Sequence, residues 1–226
     1  MANFKTHITV AALGGVLTAG LGWQAGLWSL PDAAALGGLT TLGGIMPDID
    51  ADYSRSIRLI FTLLAVLAVI AAVMMLQSQL PMATLVLVAG GLYLAVRYPL
   101  STVFRRLTTH RGIWHSLTAV ALMSLLVTAG AFQLLAQSPW QAWCQGGAMG
   151  LGMLIHLLLD ECYSIDLAGS RLKRSFGTAF KLYDYHAPAT AVAMLLLIAG
   201  LLPWLPPWQV LGNLGARVQM LWPGLL

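Results

Sequence analysis

The chain has 226 residues, of which 58% are hydrophobic and 9% charged, with a formal net charge of +4 and a mean hydropathy of +0.79. In soluble domains roughly a quarter of the residues are charged, so this composition excludes a water-facing globular surface. The small net charge gives no indication of a nucleic-acid partner. Because backbone groups in lipid must pair within the chain, and the apolar runs are continuous, transmembrane helices are favoured over a barrel.

The apolar runs give about seven segments that approach the roughly 20 residues needed to cross a bilayer. In chain order, the predicted spans cover residues 8–28, 33–46, 59–76, 82–96, 117–136, 143–159 and 189–205. The second is short and rich in glycine, so we expect it to be buried among its neighbours. We therefore predict an all-α fold, a polytopic transmembrane helical bundle. It forms one domain over residues 1–226, with an apolar tail at 206–226 along the membrane interface.

The basic residues are distributed unevenly between the two sides that these spans define. Arg217 falls on one side, and the other side receives Lys5, Arg55, Arg58, Arg97, Arg105, Arg106, Arg111, Arg171, Lys173, Arg174 and Lys181. Lysine and arginine accumulate on the cytoplasmic side of membrane proteins. The distribution predicts that the N-terminus is cytoplasmic and that the C-terminus lies outside.

Imidazoles and carboxylates collect on the same predicted side. His156 and Asp160 are four residues apart, so they share a helical face. Pro47 favours an extended backbone after it, which would direct Asp48 and Asp50 the same way. Including two histidines around a flexible glycine and one near the N-terminus, the candidate metal ligands are His7, Asp48, Asp50, His110, His115, His156 and Asp160.

These donors exceed what one tetrahedral ion needs, and they suit two divalent ions with a bridging carboxylate. Mixed imidazole and carboxylate ligands fit Zn²⁺, Mn²⁺ or Fe²⁺. Each motif also has a structural explanation, since a histidine in a membrane helix often only bonds a neighbouring helix. The Asp-x-Asp-x-Asp run resembles the start of a calcium loop but lacks the glycine and the distal glutamate. The convergence of the motifs on one membrane face favours a metal site.

Three of these motifs resemble a known family. Pro-Asp-Ile-Asp at 47–50, His-Arg-Gly-Ile-Trp-His-Ser at 110–116 and His-Leu-Leu-Leu-Asp at 156–160, with the early His7, are similar to the YdjM-like membrane-bound metal-dependent hydrolases. The resemblance extends from His7 to about Leu182, although Trp114 stands where the family usually has threonine. It implies a multi-pass protein of the bacterial inner membrane and a site like those of zinc-dependent phospholipase C and nucleases.

The resulting hypothesis is a hydrolase that uses two divalent ions, Zn or Mn, to cleave a phosphoester. Its partners would be membrane lipids, and its substrate a lipid or lipid-linked phosphate at the cytoplasmic face. Arg111 and Arg55 are the candidates for gripping phosphate, and Asp52 for orienting an imidazole. A transporter of metal ions or protons stays an alternative, although it would carry ionisable groups on both sides of the membrane midplane. A non-catalytic scaffold fastened by metal is the third hypothesis.

Overall fold

A computed structural model describes residues 3–50, 54–107, 112–166, 171–172, 181–185 and 188–212. Within them eight α-helices form: α1 (Phe4–Gln24), α2 (Leu30–Gly43), α3 (Arg55–Leu76), α4 (Met82–Ala95), α5 (Ser101–Leu107), α6 (Leu117–Gln133), α7 (Pro139–Cys162) and α8 (Pro188–Leu201). Short 3₁₀ turns cover Pro47–Asp50 and Leu202–Trp204, and a π-helical turn covers Val96–Leu100. Two short strands, β1 (Ile165–Asp166) and β2 (Arg171–Leu172), pair in antiparallel fashion. The all-α prediction is confirmed.

Among the described residues, four helical stretches are long and apolar enough to cross a membrane: Phe4–Gln24, Arg55–Leu76, Met82–Arg106 and Pro139–Cys162. The helices α6 and α8 are apolar but shorter, and α2 has 14 residues. The number of about seven spans and the orientation of the termini stay predictions.

The fourth span was predicted to end at residue 96, and this end was wrong. The helix that begins at Met82 continues through the π-helical turn, which contains Pro99, into α5. Proline fixes φ at a value that suits a helix, and it lacks the N–H that an α-helix would use there. The wider π-helical turn accommodates the missing hydrogen bond, so the helix continues through Pro99. Arg97 and Arg105 therefore lie on helical backbone and not in a loop.

The chain divides into two compact units. The first unit combines Met1–Pro47 with His115–Leu226, and the second consists of Asp48–Trp114. The first therefore contains α1, α2, α6, α7 and α8, and the second contains α3, α4 and α5. The single domain over residues 1–226 stays a prediction.

In the first unit, α2 packs against both α1 and α7, while α6 packs against α7 and α8. Glycines allow the close approach of α2 and α7. A Cβ atom at Gly152 would collide with the carbonyl oxygen of Thr40, and one at Gly43 with the carbonyl oxygen of Met149. Small residues at such contacts are typical of membrane helices. The glycine-rich second segment is thus held against the helix that carries His156.

Side-chain caps fix where the helices of the first unit begin. Ser29 and Asp32 form a capping box at the start of α2, and Ser138 and Gln141 form one at the start of α7. Ser116 caps α6 by accepting a hydrogen bond from the backbone N–H of Ala119. These caps satisfy backbone donors that a helix leaves unpaired at its first turn. The cap on α6 also fixes the backbone directly after His115.

The predicted tail at 206–226 lies mostly outside the described residues. Its first residues pack against the start of α7, because the indole Nε1 of Trp143 donates to the carbonyl oxygen of Pro207 over 3.4 Å. The rings of Trp143 and Trp208 lie 4.5 Å apart. The placement of the tail along a membrane interface stays a prediction.

The second unit is built on a pair of consecutive helices, α3 and α4, which pack against each other. Both helices expose large apolar side chains, among them Leu67 on α3 and Leu87 on α4. The aromatic rings of Phe61 and Phe104 meet edge to face at 5.5 Å and hold α5 against α3. Exposed apolar surface of this extent indicates contact with lipid.

Candidate metal centre

The carboxylate of Asp160 lies among three imidazoles in the first unit. Its Oδ1 is 3.2 Å from Nε2 of His7, and its Oδ2 is 3.8 Å from Nε2 of His115 and 3.9 Å from Nε2 of His156. His7 is 1% exposed and the other three residues are 0% exposed. Ionisable groups are expensive at such burial unless they compensate one another or bind an ion.

Three different chain segments position these side chains. His156 and Asp160 lie one turn apart on α7, as their spacing predicts. His7 lies in the first turn of α1, on the face that is buried. His115 immediately precedes the Ser116 cap of α6. Packing of α7 against both α1 and α6 brings the three segments to one point.

The ring contacts define how the imidazoles can be protonated. The rings of His7 and His156 are stacked, with centroids 3.7 Å apart and planes inclined by 11°. Two imidazolium cations at this distance would repel each other strongly in a buried site. A neutral imidazole avoids this repulsion and is also the form that binds a metal ion.

For the neutral form of His156, the hydrogen bond defines which ring nitrogen carries the proton. Its Nδ1 lies 2.8 Å from the carbonyl oxygen of Gly44. A carbonyl oxygen can only accept, so Nδ1 carries the proton and Nε2 carries the lone pair. This arrangement, in which one ring nitrogen donates to a carbonyl and the other is available as a ligand, is typical of metal-binding histidines.

The donor set fits a divalent cation. One ligand atom each from His7, His156 and Asp160 lies within 4.8 Å of the others. Among the residues that the structure describes, Nδ1 of His7 is buried without a hydrogen-bond partner. Imidazole nitrogens combined with a carboxylate oxygen are suitable ligands for Zn²⁺ and Mn²⁺. A cation would also compensate the negative charge of the Asp160 carboxylate, which is buried away from solvent.

The other predicted site residues are placed differently or not described. Asp48 lies in the 3₁₀ turn, half-buried, and the extended backbone predicted for 48–50 was wrong, because these residues close a turn directly after α2. Arg55 is the exposed first residue of α3. The side chains of four predicted residues fall outside the described part of the chain: Asp50, Asp52, His110 and Arg111.

Sequence reasoning missed two features beside the centre. The Gly44 carbonyl left no signal in the sequence, since every residue has one. Lys181 and Asp184 form a buried ion pair, with Nζ 3.2 Å from Oδ1. The backbone carbonyl of Lys181 accepts a hydrogen bond from Leu117 over 2.9 Å, next to the Ser116 cap. The segment around Lys181 thereby braces the start of α6, from which His115 projects.

Comparison with known proteins gives a match to a family. No curated protein and no solved structure matches the chain significantly. The model of the YdjM inner membrane protein family matches residues 1–172. That range includes His7, His115, His156 and Asp160, and it ends before α8. Together with its apolar helices, this match identifies the chain as a membrane protein that belongs to the YdjM inner membrane protein family.

Proposed function

We propose that this protein is a metal-dependent hydrolase that cleaves a phosphoester bond of a lipid or lipid-linked substrate. The observation that carries the proposal is the buried carboxylate of Asp160 with three imidazoles around it. Such a group of donors is costly to bury unless its members compensate one another or bind an ion. The proposal places the protein in the bacterial inner membrane as a multi-pass protein, with the centre on the cytoplasmic side.

Each residue of the centre has a defined task in this proposal. His7, His115, His156 and Asp160 would hold one divalent ion, Zn or Mn, and Gly44 would orient His156 through its carbonyl. A bound ion would supply Lewis acidity and would lower the pKa of a water molecule that it binds. His110, Asp48 and Asp50 remain candidate ligands for a second ion.

Substrate binding is assigned from the sequence. Arg111 follows a candidate ligand directly and is the first candidate for binding phosphate, because a guanidinium can bind two phosphate oxygens at once. Arg55 is the second candidate, and Asp52 is proposed to orient an imidazole. Because the centre lies at the ends of membrane helices, a lipid could present its headgroup there while its chains stay in the bilayer.

The position of the centre along its helices favours a hydrolase over a transporter. His7 lies in the first turn of α1, and His156 and Asp160 lie in the last two turns of α7. A transport site is typically found near the midplane, at interrupted helices. In the described part of the first unit, the centre lies at the ends of continuous helices instead.

Metal analysis of the purified full-length protein, followed by assays with lipid phosphates and phospholipids, tests the proposal. After stripping and reloading with Zn²⁺ or Mn²⁺, we expect release of phosphate or headgroup, and loss of that release in Asp160→Asn. Bound metal without release from any lipid pool would contradict the hydrolase.

Two further measurements separate the alternatives. Metal uptake into proteoliposomes without hydrolysis would indicate a transporter. For the scaffold, the informative variant is His115→Ala, because loss of activity with retained thermal stability supports catalysis. Collapse of the fold in that variant would support a structural role for the metal.

A further inference from the structure

A buried ion pair lies in the docking segment, residues 181–185, which follows the range that the family model matches. Lys181 and Asp184 are 8% and 7% exposed, whereas Leu182 and Tyr185 are 57% and 59% exposed. Charged side chains that are turned inward beside outward apolar ones reverse the usual arrangement. A buried ion pair adds little stability, because desolvation offsets the attraction, and its best-attested use is to fix a register. The pair therefore indicates that the position of this segment matters.

The docking segment binds the start of α6. Lys181 pairs with Ser116 in a parallel β-bridge. The carbonyl oxygen of Lys181 accepts a hydrogen bond from the backbone N–H of Leu117 over 2.9 Å, and that of Leu182 accepts one from Thr118 over 3.1 Å. These two N–H groups belong to the first turn of α6, where a helix has no acceptors of its own. The docking segment thus supplies acceptors that the start of α6 needs.

The same bridge determines the direction of His115. Ser116 has an extended backbone, with φ −151° and ψ 157°. Successive side chains of an extended segment point to opposite sides. The hydroxyl of Ser116 is turned to α6, where it caps Ala119, so the imidazole of His115 is turned the other way, toward Asp160. A change of register at this bridge would remove the constraint that holds the imidazole in this direction.

Of the four described donors of the metal centre, His115 is the one that precedes its helix. His7 lies within α1, and His156 and Asp160 lie within α7. The hydrogen bonds of regular helices fix the backbone of these three residues. The backbone of His115 is instead held next to the β-bridge, so its position depends on the docking segment.

We propose that docking of residues 181–185 on α6 is coupled to the binding of a divalent cation through His115, with Lys181 and Asp184 as positioning residues. In the docked state His115 is held as a ligand, and in the released state only the donors of α1 and α7 stay in place. Coupling is reciprocal, so docking becomes stronger on cation binding by the factor by which docking strengthens that binding. A short segment can open locally at a lower free energy than unfolding of the whole protein. The inference rests on the proposed metal centre and not on hydrolysis.

Hydrogen exchange in the full-length protein tests the coupling, with the metal-stripped wild type compared with the wild type loaded with Zn²⁺ in nanodiscs. Groups that orient a metal ligand change metal affinity by about 10–100-fold, so reciprocity predicts slower exchange by about tenfold or more at the amides of Leu117 and Thr118. The amides of Gln141 and Ala142, which Ser138 caps at the other end of α7, should exchange equally in both forms. Bound Zn²⁺ without added protection at α6, or with equal protection at both places, would overturn the coupling.

Asp184→Asn tests the coupling from the other direction, because it removes the charge that pairs with Lys181 and preserves the size of the side chain. We expect the affinity for Zn²⁺, measured against a chromophoric chelator, to fall by about tenfold. Asp184→Glu keeps the charge and should retain most of the affinity. In the His115→Ala background, Asp184→Asn should cause no further loss, since the docking segment acts through His115. The same loss with and without His115 would show that Asp184 does not position this ligand.

The matched control is Asp32→Asn, which removes an equal charge from the capping box of α2. This variant should bind Zn²⁺ as the wild type does. A loss of affinity equal to that of Asp184→Asn would contradict a specific role of the docking segment.

The exchange experiment uses the wild-type protein, so it decides the matter even if a variant does not fold. It also separates this inference from the proposed function. Bound Zn²⁺ with added protection at α6, but without release of phosphate or headgroup from any lipid, would support the coupling and contradict the hydrolase. A wild type that binds no Zn²⁺ would overturn both the metal centre and the coupling.

Discussion

At the scale of single residues, Asp160 determines the character of the candidate metal centre. Its carboxylate is fully buried, contacts His7 at 3.2 Å and approaches two further imidazoles within 4 Å. The hydrogen bond from His156 to the Gly44 carbonyl directs the lone pair of Nε2 away from the backbone. The charge of Asp160 and the tautomer of His156 thus favour the binding of a cation at this centre.

Asp160→Asn tests this assignment, because it removes the charge and preserves the size of the side chain. Loss of a residue that merely orients a ligand lowers metal affinity by about 10–100-fold, so loss of a ligand should lower it at least as much. Competition with a chromophoric chelator measures the change. Asp32→Asn is the control, since Asp32 belongs to the capping box at the start of α2. Equal metal affinity in both variants would contradict the assignment.

At the scale of elements, the close contact of α2 with α7 positions half of the centre. Gly43 and Gly152 let the two backbones approach until there is no room for a side chain. This approach also brings Gly44 within hydrogen-bond distance of His156. The spacing of two helices, rather than any property of His156 itself, therefore fixes the orientation of its ring.

We expect Gly152→Ala to destabilise the protein by about 1–3 kcal/mol, because the added methyl group would force the helices apart. Metal affinity should fall as well, since His156 lies one turn further along α7. Thermal unfolding and metal titration in the same detergent measure both effects.

Gly147→Ala is the matched control for this variant, because a Cβ at Gly147 meets no described atom within 4 Å. It should leave the stability unchanged or raise it by up to about 1 kcal/mol, as alanine favours helix over glycine. Identical unfolding temperatures for the two variants would show that the helix contact does not limit stability.

At the scale of the whole molecule, the distribution of basic residues predicts a cytoplasmic N-terminus. Two cysteines near opposite ends of α7, neither of them in a disulfide, can report the orientation of this helix: Cys144 is half-buried and Cys162 is exposed. We expect a membrane-impermeant maleimide to label Cys162 in inside-out vesicles of the Cys144→Ser variant, and not in right-side-out vesicles. The Cys162→Ser variant controls for labelling at Cys144. Labelling of Cys162 in right-side-out vesicles would reverse the predicted orientation.

Metal bound to residues from three separate segments should also stabilise the folded protein as a whole. A ligand that binds only the native state adds about 2.7 kcal/mol of stability at 100 times its dissociation constant. We expect a chelator to lower the unfolding temperature, and Zn²⁺ or Mn²⁺ to restore it. Asp160→Asn should show neither effect. An equal response of the variant would indicate that the chelator acts elsewhere in the protein.

The sequence by itself determined the properties that depend on composition and local spacing. Few charges and long apolar runs dictated membrane helices, because lipid leaves the backbone no other partners. The spacing of four between His156 and Asp160 placed both on one face of α7, since helical periodicity is local. Serine caps also define the starts of α2, α6 and α7 locally, although the predicted spans 33–46 and 143–159 began later than the helices do.

Only the tertiary structure decided which faces meet. The stacking of His7 on His156 and the bond to Gly44 join residues far apart in the chain, and helical periodicity carries no information about them. The local predictions failed around the prolines: Pro47 begins a 3₁₀ turn, and Pro99 lies inside a continuing helix. Proline limits φ, but the surrounding contacts choose among the conformations that this φ allows. The helix that continues past Pro99 thereby places Arg105 beside a cavity that Arg58 and Arg97 also line.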